Sequence, residues 1–381
     1  MKLHTPGHGL LADTLIMHGI VRLLAEMEIY TGAVEREGER YVVEINNGYN
    51  LSKAKEAESV KTLLQEIDAF PKIKERVRNL MLGKLYDANI NPGVFDTWLE
   101  DLRNGLGQLD LNVYQGCDHK SKYNVYQHCD HKSKYKEGKS KYEEGKSSSR
   151  KLKTVHLTTV YLTFTPIFGK YNVENYIVNE GNYRVCSTCF SLLNLGLLFG
   201  VATLVRRGRN ERDVVLLTAA PVERVELDEL LILQRLTEGS VEINNDIPTA
   251  AAPLLWLSVG ETLYALDSKM ELLVWRVQKA GNNQRAVDYV VTDLSRLLEF
   301  VSVLKWHTPR WPRCAESLVD TGNAYILAEM TNYALFGGDY YRISRELATT
   351  VDNREEARKT GLINCEVDKI TEALIRLAQT R

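Results

Sequence analysis

The amino-acid sequence predicts an α+β protein, with a mixed portion over residues 1–222 followed by a mainly helical domain over 223–381. Three observations predict it. Up to about residue 222, segments with helical spacing are interleaved with runs in which apolar and polar residues alternate, the period of a half-buried strand. Beyond about residue 224 helical spacing dominates. Within the first portion lies a stretch, 113–150, whose composition matches neither pattern. The 381 residues, 44% hydrophobic and 26% charged, are enough for two domains and exclude disorder throughout.

Residues 10–27, LLADTLIMHGIVRLLAEM, place Leu11, Leu15, Leu23, Leu24 and Met27 at near-helical spacing, with Asp13 in the first turn where the helix dipole favours an anion. Ile29–Ala33 and Arg40–Ile45 flank the polar EREGE segment and predict a β-hairpin. Two or three helices are expected within 51–105, separated at Asn91-Pro92-Gly93. From Leu152, LKTVHLTTVYLTF alternates like a strand. The uncharged run Phe190 to Val205 falls short of the ~20 apolar residues of a membrane helix and is read as buried strand. It and DVVLLTAAP flank the polar turn RRGRNER, a second hairpin. Helices are expected over Glu226–Leu236, Ala286–Lys305, Cys314–Leu335, Tyr340–Val351 and Glu366–Gln379. Asp13, His18 and Arg22 interrupt the apolar residues after the opening MKLHTPGHGL, so no export signal is read and the expected compartment is the cytoplasm.

The foreign stretch contains a tandem repeat of 12 residues, VYQGCDHKSKYN (Val113 to Asn124) and VYQHCDHKSKYK (Val125 to Lys136), with ten positions identical. A degenerate echo continues as EGKSKYE and EGKSSSR. The unit is nearly devoid of apolar residues, so it cannot stack a solenoid core and predicts an exposed insertion at 113–150. Residues 113–153 hold eleven Lys and Arg against five Asp and Glu, a local charge of +6 in a chain of −2 overall. Lys120, Lys122, Lys132, Lys134, Lys136, Lys139 and Lys141 alternate with Tyr114, Tyr123, Tyr126, Tyr135 and Tyr142. Cations for phosphates and rings for unpaired bases make this tract a candidate nucleic-acid contact. The alternative is a solvated loop with no partner. Arg206, Arg207 and Arg209 form a second cluster at the tip of the expected hairpin, where they either meet phosphates or dissolve the turn.

Cysteine usage points to thiol or metal chemistry, because six cysteines in a chain of this length without an export signal make no disulfide framework. Cys186-Ser187-Thr188-Cys189 is a C-x-x-C knuckle, and Cys117 and Cys129 are candidates to complete a tetrahedral structural zinc site, with His119, His128 and His131 as substitutes. The other readings are buried or reactive thiols, or a disulfide. Cys314 and Cys365 lie on helical patterns and are expected to be core thiols. Gly7-His8-Gly9-Leu10-Leu11-Ala12 matches the G-x-G-x-x-A dinucleotide fingerprint ahead of a helix, but no returning parallel strand follows. Gly138-Lys139-Ser140 and Gly145-Lys146-Ser147 lack the first glycine of a P-loop. With no H-E-x-x-H and no G-x-S-x-G, no catalytic residue is expected.

The opening Leu3-His4-Thr5-Pro6-Gly7-His8-Gly9, running into Leu11-Ala12-Asp13 and His18-Gly19-Ile20, resembles the large subunit of archaeal type I-A CRISPR interference (Cascade) complexes. The likeness is concentrated in roughly the first 30 residues. It implies a non-catalytic subunit of a guide-RNA ribonucleoprotein that contacts target double-stranded DNA and its flanking motif, helps to open the duplex, and presents it to a helicase and nuclease. Another RNA-guided effector divides the work similarly: base pairing reads sequence and protein contacts nucleate the opening. Two other functions fit the residues alone. One is a structural scaffold that binds protein partners only; the other is a nucleotide-binding enzyme using Gly7 and Gly9.

Overall fold

The computed structural model describes residues 1–46, 53–69, 92–111, 157–159, 184–207, 211–237, 240–260, 268–280 and 283–379. Strand β1 (Lys2–His4) leads through a glycine-bearing loop into helix α1 (Leu10–Glu26), which is apolar on nearly every face and enclosed over most of its length. Strands β2 (Gly32–Glu37) and β3 (Arg40–Ile45) form the expected hairpin, with Glu37 opposite Arg40. β1 adds antiparallel to β3, and the short β8 (Val225–Glu226) adds to β2, giving a four-stranded sheet in the order β1-β3-β2-β8. Helices α2 (Lys53–Ala69) and α3 (Pro92–Gly107) occupy the stretch where helices were expected, α3 opening on the proline of Asn91-Pro92-Gly93.

Strand β4 (Leu157–Thr159) pairs antiparallel with β5 (Arg184–Cys186), and helix α4 (Ser187–Phe199) follows at once. This corrects the strand expected over Phe190–Val205: its first ten residues are helical. Ser191 and Asn194 are too few to set a period in an otherwise apolar run, and each residue from Cys189 to Phe199 is buried. α4 crosses α1 at backbone contact. A β-carbon at Gly19 would collide with the Leu192 carbonyl, and one at Gly196 with that of Leu15.

The second expected hairpin has its strands in β6 (Ala202–Arg207) and β7 (Glu211–Pro221), which pair antiparallel with Arg207 opposite Arg212. Helix α5 (Leu227–Thr237) precedes β9 (Ser240–Ile243), which runs parallel to β6. Strands β10 (Met270–Ala280) and β11 (Asn283–Asp293) complete a five-stranded sheet in the order β11-β10-β7-β6-β9. β7 and β10 pair from Met270 opposite Pro221 to Ala280 opposite Glu211, so strands from both sides of residue 222 share this sheet.

β11 is a second correction, because the helix expected over Ala286–Lys305 begins only at α7 (Leu294–His307). Val287, Tyr289, Val290, Val291 and Thr292 are the β-branched and aromatic types that suit a pleated surface. Asp293 ends the strand and caps the helix, accepting the Arg296 N–H at 3.0 Å. The remaining helices are α6 (Ala252–Val259), α8 (Trp311–Asp320), α9 (Ala324–Phe336), α10 (Tyr340–Val351), α11 (Arg354–Thr360) and α12 (Val367–Gln379). α8 and α9 were read as one helix; Gly322, at φ 77°, turns the chain between them. Cys314 and Cys365, expected as separate core thiols, form a buried disulfide that closes a separation of 51 residues. A crosslink of that span stabilises by about 4 kcal/mol through the unfolded chain.

Candidate nucleic-acid interface

The lysine and tyrosine tract, with Lys120, Lys122, Lys132, Lys134, Lys136, Lys139 and Lys141, lies outside the described residues, as do Cys117, Cys129 and Arg209. The described residues that end at Leu111 and those that resume at Arg184 are tied to each other. Leu111, fully buried, donates its N–H to Glu56 Oε1 at 3.2 Å, which places the end of the chain segment after α3 against α2. Ser187, at the head of α4, donates its hydroxyl to Gln108 Oε1 at 3.1 Å, and Thr188 donates to the Gly105 carbonyl at 3.3 Å. The chain therefore returns to the place it left. A β-carbon on Gly105 would collide with Ser187 and Ser191, so α3 and α4 meet as closely as α1 and α4 do.

Among the arginines of the β6–β7 hairpin, Arg206 is held at the end of its strand by Asp246, 3.0 Å away. Asp246 also lies 3.4 Å from Arg276. Arg276 in turn forms a bidentate, half-buried pair with Asp213 across β7 and β10, and donates to the Ile247 carbonyl at 3.0 Å. Asp213 is nearly enclosed, and its hydrogen bond to Arg276 raises the guanidinium pKa further. Arg206 thus belongs to an ion network that fastens the loop after β9 to the sheet. Arg207 occupies the last position of β6.

Cys186 and Cys189 are both buried at the first turn of α4, and the Cys186 sulfur accepts the Cys189 N–H at 3.5 Å as the helix cap. Among the described residues no group of three or more His, Cys, Asp or Glu converges as a metal cluster would.

At the N-terminus, Gly7 donates its N–H to Asp13 Oδ1 at 2.6 Å and Arg40 lies over it. Burial pushes the Asp13 carboxyl pKa up, against the Thr5 hydroxyl and the Gly7 and His8 amides that favour its charge. The βαβ unit that a dinucleotide fingerprint needs does not form here: β1 pairs antiparallel, and α1 leads into the β2–β3 hairpin. Gly7 and Gly9 instead turn the chain into the helix, both at positive φ.

Behind these surfaces runs a buried polar seam. His18 Nε2 lies 2.8 Å from the Ala219 carbonyl and must donate to it, leaving Nδ1 to accept from Gln234 Nε2 at 3.3 Å. The ring is therefore neutral, and burial lowers its pKa to about 4. Gln234 also donates to the His18 carbonyl at 2.9 Å, and Trp98 Nε1 donates to Asn194 Oδ1 at 3.0 Å. The sequence reading did not assign these partners, because they lie 96 to 216 residues apart.

The described residues thus define an α+β protein in which α3, the last helix before the basic tract, packs directly on α4. No helix among them is long and apolar enough to cross a membrane. The chain belongs to the Csa4 family of CRISPR-associated proteins, whose model matches residues 1–372. It is 34% identical over 371 residues to the CRISPR system associated protein Cas8 of Thermoproteus tenax, an alignment covering 94% of each chain. The likeness to the type I-A large subunit, first read at the N-terminus, extends over nearly the whole chain.

Proposed function

We propose that this chain is the non-catalytic large subunit of a CRISPR RNA-guided surveillance complex, and that it contacts target DNA and its flanking motif, supports strand opening and recruits a helicase and nuclease. Family membership over residues 1–372 is the observation that carries this reading. The +6 tract supplies the cations that phosphate contact requires. Lys120, Lys122, Lys132, Lys134, Lys136, Lys139 and Lys141, together with Arg207 and Arg209, make that contact electrostatically, and specificity resides on the folded surfaces around them.

Purification of the chain from its native host tests the reading: guide RNA and several smaller subunits should accompany it. Protein partners without nucleic acid would favour the scaffold instead. In a duplex-DNA titration, Lys120, Lys122, Lys132 and Lys134 changed together to Ala should flatten the log-log salt dependence by roughly 0.9 per lost phosphate contact. An unchanged slope removes the tract from the interface.

A structural zinc held by Cys186 and Cys189 with Cys117 and Cys129 belongs to the same reading. The donor types suit a closed tetrahedral site, and two of the four sulfurs stand at one helix head. Metal analysis should give one zinc per chain and none for Cys129→Ser; a metal-free wild type would dismiss the site.

A further inference from the structure

The corner between α7 and α8 reads Lys305-Trp306-His307-Thr308-Pro309-Arg310-Trp311-Pro312-Arg313. Trp306 is 82% exposed, while the other four tryptophans, Trp98, Trp256, Trp275 and Trp311, are buried. Cations beside an exposed aromatic ring are the combination by which proteins hold single-stranded nucleic acid, phosphates on the charges and a base on the ring. Arg310 and Arg313 are exposed, and no ion pair holds either guanidinium among the described residues. Lys305 is set back from this surface, its part-buried Nζ 3.4 Å from the Gly260 carbonyl and its pKa lowered by burial. Two acids are close in sequence or space: Glu316, one turn beyond Arg313, and Glu372, whose carboxylate lies 3.9 Å from His307 Nδ1. Along the sequence, Trp306 is followed within seven residues by Pro309, Arg310, Pro312 and Arg313, and no other exposed large apolar side chain occurs between Val291 and Tyr325.

The corner is built to hold this arrangement. Thr308 donates its N–H to the Leu304 carbonyl at 2.8 Å and Trp311 to that of Thr308 at 2.8 Å, closing the turn. Behind it, the buried Trp311 ring donates Nε1–H to Ser258 at 2.7 Å, and Cys314 is fastened through its disulfide. Four residues of chain separate Trp306 from Arg310, a reach of at most ~14 Å, and one helical turn separates Arg310 from Arg313.

We propose that this corner is a second nucleic-acid site, specific for single strands, in which an unpaired base stacks on Trp306 while Arg310 and Arg313 meet the flanking phosphates. Unpaired bases offer a π-face of any sequence, and a duplex keeps those faces stacked inside. The proposal rests on the large-subunit reading to the extent that an opened duplex supplies the unpaired strand.

Titration of the purified full-length chain with oligothymidine tests it. Binding should quench the solvent-exposed indole emission, which Trp306 supplies. Trp306→Ala should weaken binding by roughly 5- to 100-fold, and Trp306→Phe should keep most of the affinity while losing the quenching signal. Arg310→Ala with Arg313→Ala should lower the log-log salt slope by about 1.4. If the wild type binds oligothymidine and Trp306→Ala binds it equally well, the site is wrong. A Trp306→Ala variant that sheds another subunit with strand affinity intact would likewise overturn it, by making the corner a protein contact. A parallel titration of the assembled complex with target duplex separates the two readings. Duplex binding that persists in the face of either result leaves the large-subunit role standing, and its absence removes both.

Discussion

Around α1 and α4, polar side chains are buried and answered by groups far along the chain: His18 by Ala219 and Gln234, Trp98 by Asn194. In the helices after Trp311, several ion pairs are short-range, as between Lys359 and Glu355 or Lys369 and Glu366, and the long-range ties include the buried Tyr333 hydroxyl on the Leu374 carbonyl and the covalent Cys314–Cys365 bond. The difference locates two kinds of fragility. The first region depends on contacts that exist only when the whole fold is assembled, so single atoms and protons matter there. The second is tied by neutral hydrogen bonds such as Tyr333 to Leu374 and by one crosslink, so reductant matters more than pH.

The largest effect should come from the closest contact. Gly196→Val drives a side chain into the Leu15 carbonyl of α1, and neither backbone can retreat from the core. We expect a loss above about 4 kcal/mol, seen as insoluble or unfolded protein, whereas Gly322→Ala in the turn between α8 and α9 should still fold. A Gly196→Val protein with wild-type thermal stability would break the account of the helix crossing. Next, Cys314→Ser with Cys365→Ser should cost about 4 kcal/mol, and reductant should lower the melting temperature of the wild type but not of the double variant.

The pH dependence separates the two regions further. The folded pKa of His18, about 4, lies below its unfolded value of 6.5, so the unfolded chain takes up the proton first. Its contribution is complete above pH 6.5 and is lost as pH falls toward 4, about 3 kcal/mol in all. Asp13, its pKa raised by burial, opposes this as pH falls toward 3.8, since its protonation favours the folded chain. Chemical denaturation between pH 7 and 4 should show the loss, and His18→Gln should flatten it; an identical acid limb would take the seam out of the explanation. The smallest measurable effect is Trp98→Phe, which leaves Asn194 Oδ1 without its donor at a cost of about 2 kcal/mol. Lys359→Ala, by contrast, should leave the melting temperature unchanged.

Elements whose two faces differ were legible in the sequence. The β2–β3 hairpin followed from alternation around a glycine turn, and α10 from apolar spacing, with Asp339 accepting the Tyr341 N–H at 2.9 Å as its cap. α4 was not legible because it has no polar face to set a period. β11 was not, because its valines run without a break into a true helix. The disulfide was hidden because cysteine pairing is a property of the folded chain. In the candidate interface, the tract's charge and its tyrosines are compositional and could be read directly. The Arg206–Asp246 pair could not, since it needs the sheet to bring residues 40 positions apart together. The Trp306 corner was missed for the same kind of reason. Its basic and aromatic residues are plain in KWHTPRWPR, but the exposure of one tryptophan and the burial of the next are set by tertiary packing.

The central claim is most directly tested by measuring target-duplex binding of the guide-RNA complex assembled with and without this chain, on duplexes that carry or lack the flanking motif. The account predicts tight binding and strand opening only when the chain is present and the motif intact. Equal binding and opening without the chain would contradict it.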